Sequence, residues 1–142
     1  MNSPKPILYQ FALSHYCEKA RWALDYKGVD YKIVNFVPGP HLFQTRRIAS
    51  QTSLPIMVEN GTVIQDSTEI IHYLDQKYPK NPLTPLREDL KKEAIELEEY
   101  FDEEVGVHLR RFFYFLSKTR GATQVPPESG QSKRENLCRN GS

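Results

Sequence analysis

Residues 53–67 read Ser-Leu-Pro-Ile-Met-Val-Glu-Asn-Gly-Thr-Val-Ile-Gln-Asp-Ser. Asn60-Gly61 stands between two apolar runs. That pair is the strongest short-range hairpin signal, because a two-residue type I′ turn needs positive φ at both central positions. Antiparallel strands are therefore expected at about 56–59 and 62–65. Asp66 and Glu69 follow with capping-box spacing, Asp standing in for Ser or Thr. Ile70, Ile71 and Leu74 then supply one apolar face, which predicts a helix from about 67 to 78.

The stretch before the hairpin alternates differently. Ile7-Leu8-Tyr9-Gln10-Phe11 is rich in β-branched and aromatic residues and predicts a strand. Ala20, Ala23 and Leu24 recur at helical spacing within 16–27, and Gly28 is placed as a C′ stop. Tyr31 to Val37 reads as a second strand. Strand, helix and strand in so short a span predict a βαβ unit with parallel strands. Pro38-Gly39-Pro40 breaks the pattern, and 41–51 reads as a loop with a short helix.

Residues 1–78 thus form one α/β unit, ordered β-α-β then β-β-α. Pro79, Pro82 and Pro85 make 79–86 a stiff linker. A long helix is expected over 87–120, with Leu90, Ala94, Leu97, Phe101, Val105, Leu109, Phe112 and Leu116 on one stripe. Its acidic start, Glu88 and Asp89, and its basic end suit the helix dipole. Residues 121–142 have no apolar period and are rich in Gly, Ser, Asn and charge, so they read as a disordered tail.

Charge narrows the function classes. Lys plus Arg total 19 against 18 for Asp plus Glu, a net +1 that gives no reason to expect nucleic acid or an acidic membrane as partner. No apolar run spans a bilayer, and residues 1–20 lack a signal peptide's layout. Two cysteines, Cys17 and Cys138, are too few and too far apart for a disulfide framework, so the expected compartment is the cytoplasm. His15, His41, His72 and His108 show no ligand spacing with Cys, Asp or Glu, and no metal is expected.

The segment order, with "LSHYCEKARWAL", "SLPIMVENG" and "VIQDSTEIIHYLDQKYP", resembles the N-terminal domain of cytosolic glutathione S-transferases. The resemblance covers about 7–78 and implies a thioredoxin-like fold. Residues 79–120 resemble the family's linker and the first helix of its all-helical second domain. That domain normally holds several helices and this chain shows one, so it reads as truncated there.

The resemblance implies glutathione as co-substrate, a small-molecule electrophile and a homodimer. It implies that Ser14 meets the glutathione sulfur, where a hydroxyl and a helix N-terminus stabilise a thiolate. A plain N-cap is the other reading of Ser14. Tyr16 competes with it for the sulfur. Cys17 holds the second position of a C-x-x-C pattern whose first position is Ser14. It reads as a buried structural thiol, with thiol-disulfide exchange through Cys17 as the alternative. A non-catalytic glutathione-binding or interaction module is the further alternative.

The resemblance also implies that Leu54-Pro55 is cis and presents the Leu54 backbone to the cysteinyl group as an added strand. Asp66 would meet the γ-glutamyl ammonium. Ser67 and the helix N-terminus would meet its carboxylate. For the glycyl carboxylate Gln51 is chosen over His41, Arg46 and Arg47, because it lies nearest Pro55.

Overall fold

A computed structural model describes residues 4–119. The chain divides into two units, residues 1–110 and 111–142. The first unit opens with β1 (Ile7–Gln10), α1 (His15–Tyr26), β2 (Lys32–Asn35) and a short α2 (His41–Thr45). The hairpin β3 (Ile56–Glu59) and β4 (Thr62–Gln65) follows, and then α3 (Ser67–Lys77). The four strands form one sheet in the order β2-β1-β3-β4. β1 runs parallel to β2 and antiparallel to β3, and β4 runs antiparallel to β3. This is the thioredoxin-like arrangement that the resemblance implies.

The turn chemistry acts as the residue types require. Asn60 and Gly61 have φ of 50° and 82°. Gly28, at φ 67°, ends α1. Its N–H bonds to the Asp25 carbonyl, and the Val29 N–H reaches back to Leu24, which is a Schellman closure. Val29 packs against the core at that point, completing the motif.

The core follows from strand register. Leu8 is opposite Met57, and Met57 is opposite Ile64, so three apolar side chains form one row across the sheet. Ala20, Ala23 and Leu24 of α1 and Ile70 and Leu74 of α3 cover that row. Full burial of a Leu- or Ile-sized side chain contributes about 1.5–3 kcal/mol. β2 is the exposed edge: all four of its residues are exposed, and it is shorter than the expected 31–37.

Beyond α3 the chain is tied down. Asp75 accepts from the N–H groups of Leu83 and Thr84 at 2.8 and 2.9 Å, and from Lys27 Nζ at 2.6 Å. Lys27 also donates to the carbonyls of Tyr78 and Lys80. The proline-rich segment is therefore fixed to the ends of α1 and α3. These bonds outweigh the cost of burial and lower the Asp75 pKa to about 2.

The following helix departs from the sequence expectation in one respect. α4 (Glu88–Tyr100) gives way to a π-helical turn over Phe101–Val105, and α5 (Gly106–Thr119) then resumes. The even three-and-four apolar spacing contains no sign of this inserted turn. Leu90, Ile95, Leu97 and Phe101 are exposed. In the second unit, residues 111–119 continue α5 with Phe112, Phe113, Tyr114 and Phe115 exposed. Among the described residues no helix is long and apolar enough to cross a membrane. The tail expected at 121–142 lies outside them.

Candidate functional site

Strand direction brings the singled-out residues together. Tyr9, near the C-terminal end of β1, is opposite Ile56, the first residue of β3, and Ile56 is opposite Gln65, the last of β4. The loop after β1, the approach to β3 and the exit from β4 therefore share one end of the sheet. These segments carry Ser14, Leu54-Pro55 and Asp66-Ser67.

Ser14 is the N-cap of α1. Its Oγ accepts from the Cys17 N–H at 3.4 Å, a long contact that leaves the hydroxyl proton available to donate. The loop holding Ser14 is anchored from behind. Arg21, nearly buried, donates to the Ala12 carbonyl and to Gln10 Oε1, and pairs with Glu18. Gln10 in turn donates to Asn35 at 2.9 Å. Sequence reading missed this polar chain, whose only sign is an arginine on the apolar side of an amphipathic helix.

Cys17 is fully buried. Its sulfur accepts from the Phe11 N–H at 3.4 Å. Burial raises the thiol pKa, outweighing the Ser14 and Phe11 contacts and the nearby Arg21 charge. A buried thiol held protonated is a poor nucleophile at neutral pH. Tyr16 points elsewhere: its hydroxyl donates to the Asp102 carbonyl at 2.7 Å, and the Arg110 guanidinium lies 5.6 Å from its ring centre.

Leu54-Pro55 is cis, and Leu54 lies ahead of the first ladder residue. Gln65 holds the approach to that bond. Its side chain donates to the carbonyls of Gln51 and Ser53, at 3.0 and 2.8 Å, and accepts from the Gln51 N–H. Gln51 is exposed, and its side-chain oxygen accepts from Ser53. Arg46 and Arg47 are exposed, and His41 Nδ1 accepts from the Gly39 N–H.

Asp66 caps α3 by accepting from the Thr68 N–H at 2.8 Å. The reciprocal arm of a capping box is replaced: the Asp66 N–H donates to the Pro55 carbonyl. Asp66 holds φ 89° and ψ 141°, a conformation disfavoured for a side chain of this kind. Next to it, the Ser67 hydroxyl is buried and makes no hydrogen bond among the described residues. A strained residue and an orphaned hydroxyl thus adjoin at one helix N-terminus. Free N–H groups and the helix dipole there suit an anion.

The described residues contain no group of three or more His, Cys, Asp or Glu side chains placed to hold a metal.

Comparison with known proteins agrees with this fold. Residues 8–82 match the family model described as "Glutathione S-transferase, N-terminal domain". Glutathione S-transferase 1 of Dianthus caryophyllus is 39% identical over 97 residues, 66% of this chain and 43% of that protein. A glutathione S-transferase of Methylobacterium radiotolerans, solved in complex with glutathione sulfonate, superposes with a TM-score of 0.71 at 26% identity. The match covers 84% of this chain and 57% of that one. The holo structure of a maleylpyruvate isomerase, a bacterial zeta-class glutathione S-transferase, gives 0.68 at 28% identity, over 82% and 57%. The chain spans less than half the length of the curated relatives it matches.

Proposed function

The chain belongs to the glutathione S-transferase family, and from that premise we propose that it binds glutathione at this end of the sheet and activates its thiol. The observation that carries the reading is the unpartnered, buried Ser67 hydroxyl beside the strained Asp66. Ser67 and the first N–H groups of α3 receive the γ-glutamyl carboxylate, and Asp66 receives the ammonium. The Leu54 backbone pairs with the cysteinyl unit, and Gln51 meets the glycyl carboxylate. Ser14 donates to the sulfur, and the N-terminus of α1 adds partial positive charge.

The chemistry is conjugation. The bound thiolate attacks an electrophilic carbon, and a C–S bond forms as the displaced electron pair moves to the leaving group or acceptor. The thiol proton has left beforehand to solvent. The resemblance to the isomerase structure favours a second reading, in which the thiolate adds and is later expelled, leaving a rearranged product. Exchange through Cys17 is disfavoured by the burial of that thiol. We extend the proposal to a homodimer, since Leu97, Tyr100 and Phe101 form exposed apolar surface of the kind that assemblies cover.

Calorimetric titration tests the binding. Glutathione should bind and cysteinylglycine, which lacks the γ-glutamyl unit, should bind far more weakly. Equal binding of the two overturns the role given to α3. Binding without turnover of any electrophile would favour the non-catalytic module.

A further inference from the structure

A second set of polar side chains meets the first turn of α3. Lys19, on α1, places its ammonium 2.6 Å from Glu98 Oε1 and 2.7 Å from Asp102 Oδ2. It also donates to Thr68 Oγ1 at 3.3 Å. Thr68 Oγ1 donates to the same Glu98 oxygen at 2.7 Å. All three charged side chains are about three-quarters buried, with exposures of 23%, 25% and 26%. Three elements thus converge on one nitrogen: α1 through Lys19, α3 through Thr68, and α4 with its π turn through Glu98 and Asp102.

The position of Thr68 gives this cluster its meaning. Thr68 follows Ser67 directly, and its backbone N–H is the group capped by Asp66. Its side chain is fixed by Lys19 and Glu98, and its main chain by Asp66. A residue in the conformation of Asp66 persists only where its surroundings over-determine it. The Pro55 carbonyl holds one side of Asp66. The Lys19 cluster bears on Asp66 through Thr68, whose N–H donates to the Asp66 side chain.

The geometry points to Lys19 as a positioning residue: with Glu98, it sets the first turn of α3 in the conformation that receives the γ-glutamyl group. The inference rests on the glutathione-binding reading above. Lys19 touches no proposed ligand position and acts through Thr68. The π turn belongs to the same device. Its Asp102 carbonyl accepts from Tyr16, and its carboxylate accepts from Lys19, so one residue is gripped twice from α1. Without the ammonium, Glu98 and Asp102 face each other across the vacated position. Burial resists the charge on Lys19, but the bonds to Asp102 and Glu98 outweigh it and raise its pKa.

The test is calorimetric binding of glutathione to the full chain and to three variants, with melting temperature recorded for each. Lys19→Met should weaken glutathione binding about tenfold, the size of effect expected of a residue coupled to a site without touching ligand. Lys19→Arg, which keeps a cation able to span both carboxylates, should restore most of it. Thr68→Val leaves the ion pairs intact and should weaken binding by a similar factor. A purely structural role would lower the melting temperature and leave the dissociation constant of the folded protein unchanged. Wild-type dissociation constants in both Lys19→Met and Thr68→Val overturn the proposal, as does failure of Lys19→Arg to rescue. Absence of glutathione binding by the wild type overturns the underlying reading instead, a result distinct from either.

Discussion

Replacing Ser14 with alanine separates its two roles. As an N-cap, Ser14 accepts from the Cys17 N–H at 3.4 Å, beyond the ordinary range. The loss of that cap should therefore cost only about 0.5 kcal/mol, the low end for such caps. As a donor to a bound thiolate, the same hydroxyl makes a charge-assisted bond of about 1.5–3 kcal/mol. That bond exists only for the ionised sulfur, so its full value appears as a change in the thiol pKa. It corresponds to about 1–2 pH units. The N-terminus of α1 survives the substitution, and its half charge keeps the variant's bound thiol somewhat below the solution value. The assay is ultraviolet thiolate absorbance of bound glutathione against pH, in wild type, Ser14→Ala and Tyr16→Phe. The titration of Ser14→Ala should lie higher by that amount. Tyr16→Phe should match wild type, because the Tyr16 hydroxyl is committed to the Asp102 carbonyl. Coincident wild-type and Ser14→Ala curves, with Tyr16→Phe displaced upward, would show that the tyrosine contacts the sulfur.

Asp75→Asn should destabilise the fold by about 2 kcal/mol near neutral pH, from a carboxyl pKa lowered from 3.8 to about 2. A depressed carboxyl pKa stabilises above its unfolded value and loses that stabilisation as pH falls. Wild-type and variant stabilities should therefore converge between about pH 4 and pH 2; parallel denaturation curves through that window refute the assignment. Gly106→Ala gains about 1 kcal/mol of helix propensity, but its Cβ would sit 2.4 Å from His15 Nε2 and 2.9 Å from the Tyr16 hydroxyl. The crowding, typically about 1–3 kcal/mol, should prevail, and a raised melting temperature would contradict the close approach. Cys17 should react slowly with iodoacetamide in the native protein, and Cys17→Ala should leave the bound-thiol titration unmoved; fast alkylation at neutral pH would revive the exchange reading.

The parts of the fold written in local chemistry were readable. Asn60-Gly61 fixes a turn because its two residues tolerate positive φ, and no distant contact is needed. Gly28 ends α1 for the same kind of reason. The hairpin register pairs Met57 with Ile64, but Leu8 joins that row only through the long-range pairing of β1 with β3. The π turn at 101–105 was not readable, because the apolar spacing runs through it unchanged. It is held by groups far away in sequence: the Tyr16 hydroxyl and the Lys19 ammonium, both from α1. The same distance hides Arg21 and Gln10, which join a helix to a strand beneath the Ser14 loop. For the site, position was legible and direction was not. The resemblance singled out Ser14, Leu54, Asp66 and Ser67, and the strand directions bring their segments to one sheet end. Which hydroxyl was free to donate depended on where Tyr16 pointed.

The α3 N-terminus carries a thermodynamic signature that can be tested without any turnover. An unpartnered buried hydroxyl costs about 1–3 kcal/mol. The backbone conformation of Asp66 adds a cost of similar order. A site that gives up stability in this way recovers it when a ligand supplies the missing partner. Ser67→Ala removes the orphaned oxygen at little change in shape. The ligand-free variant should therefore be at least as stable as wild type, and more stable by up to about 1 kcal/mol. Its glutathione affinity should fall, because the γ-glutamyl carboxylate loses a donor. Thermal melts with and without glutathione measure both effects in one series. Wild type should gain more from the ligand than the variant gains. A ligand-free Ser67→Ala protein that melts well below wild type would mean the hydroxyl already has a stabilising partner, and the argument from its isolation would fail.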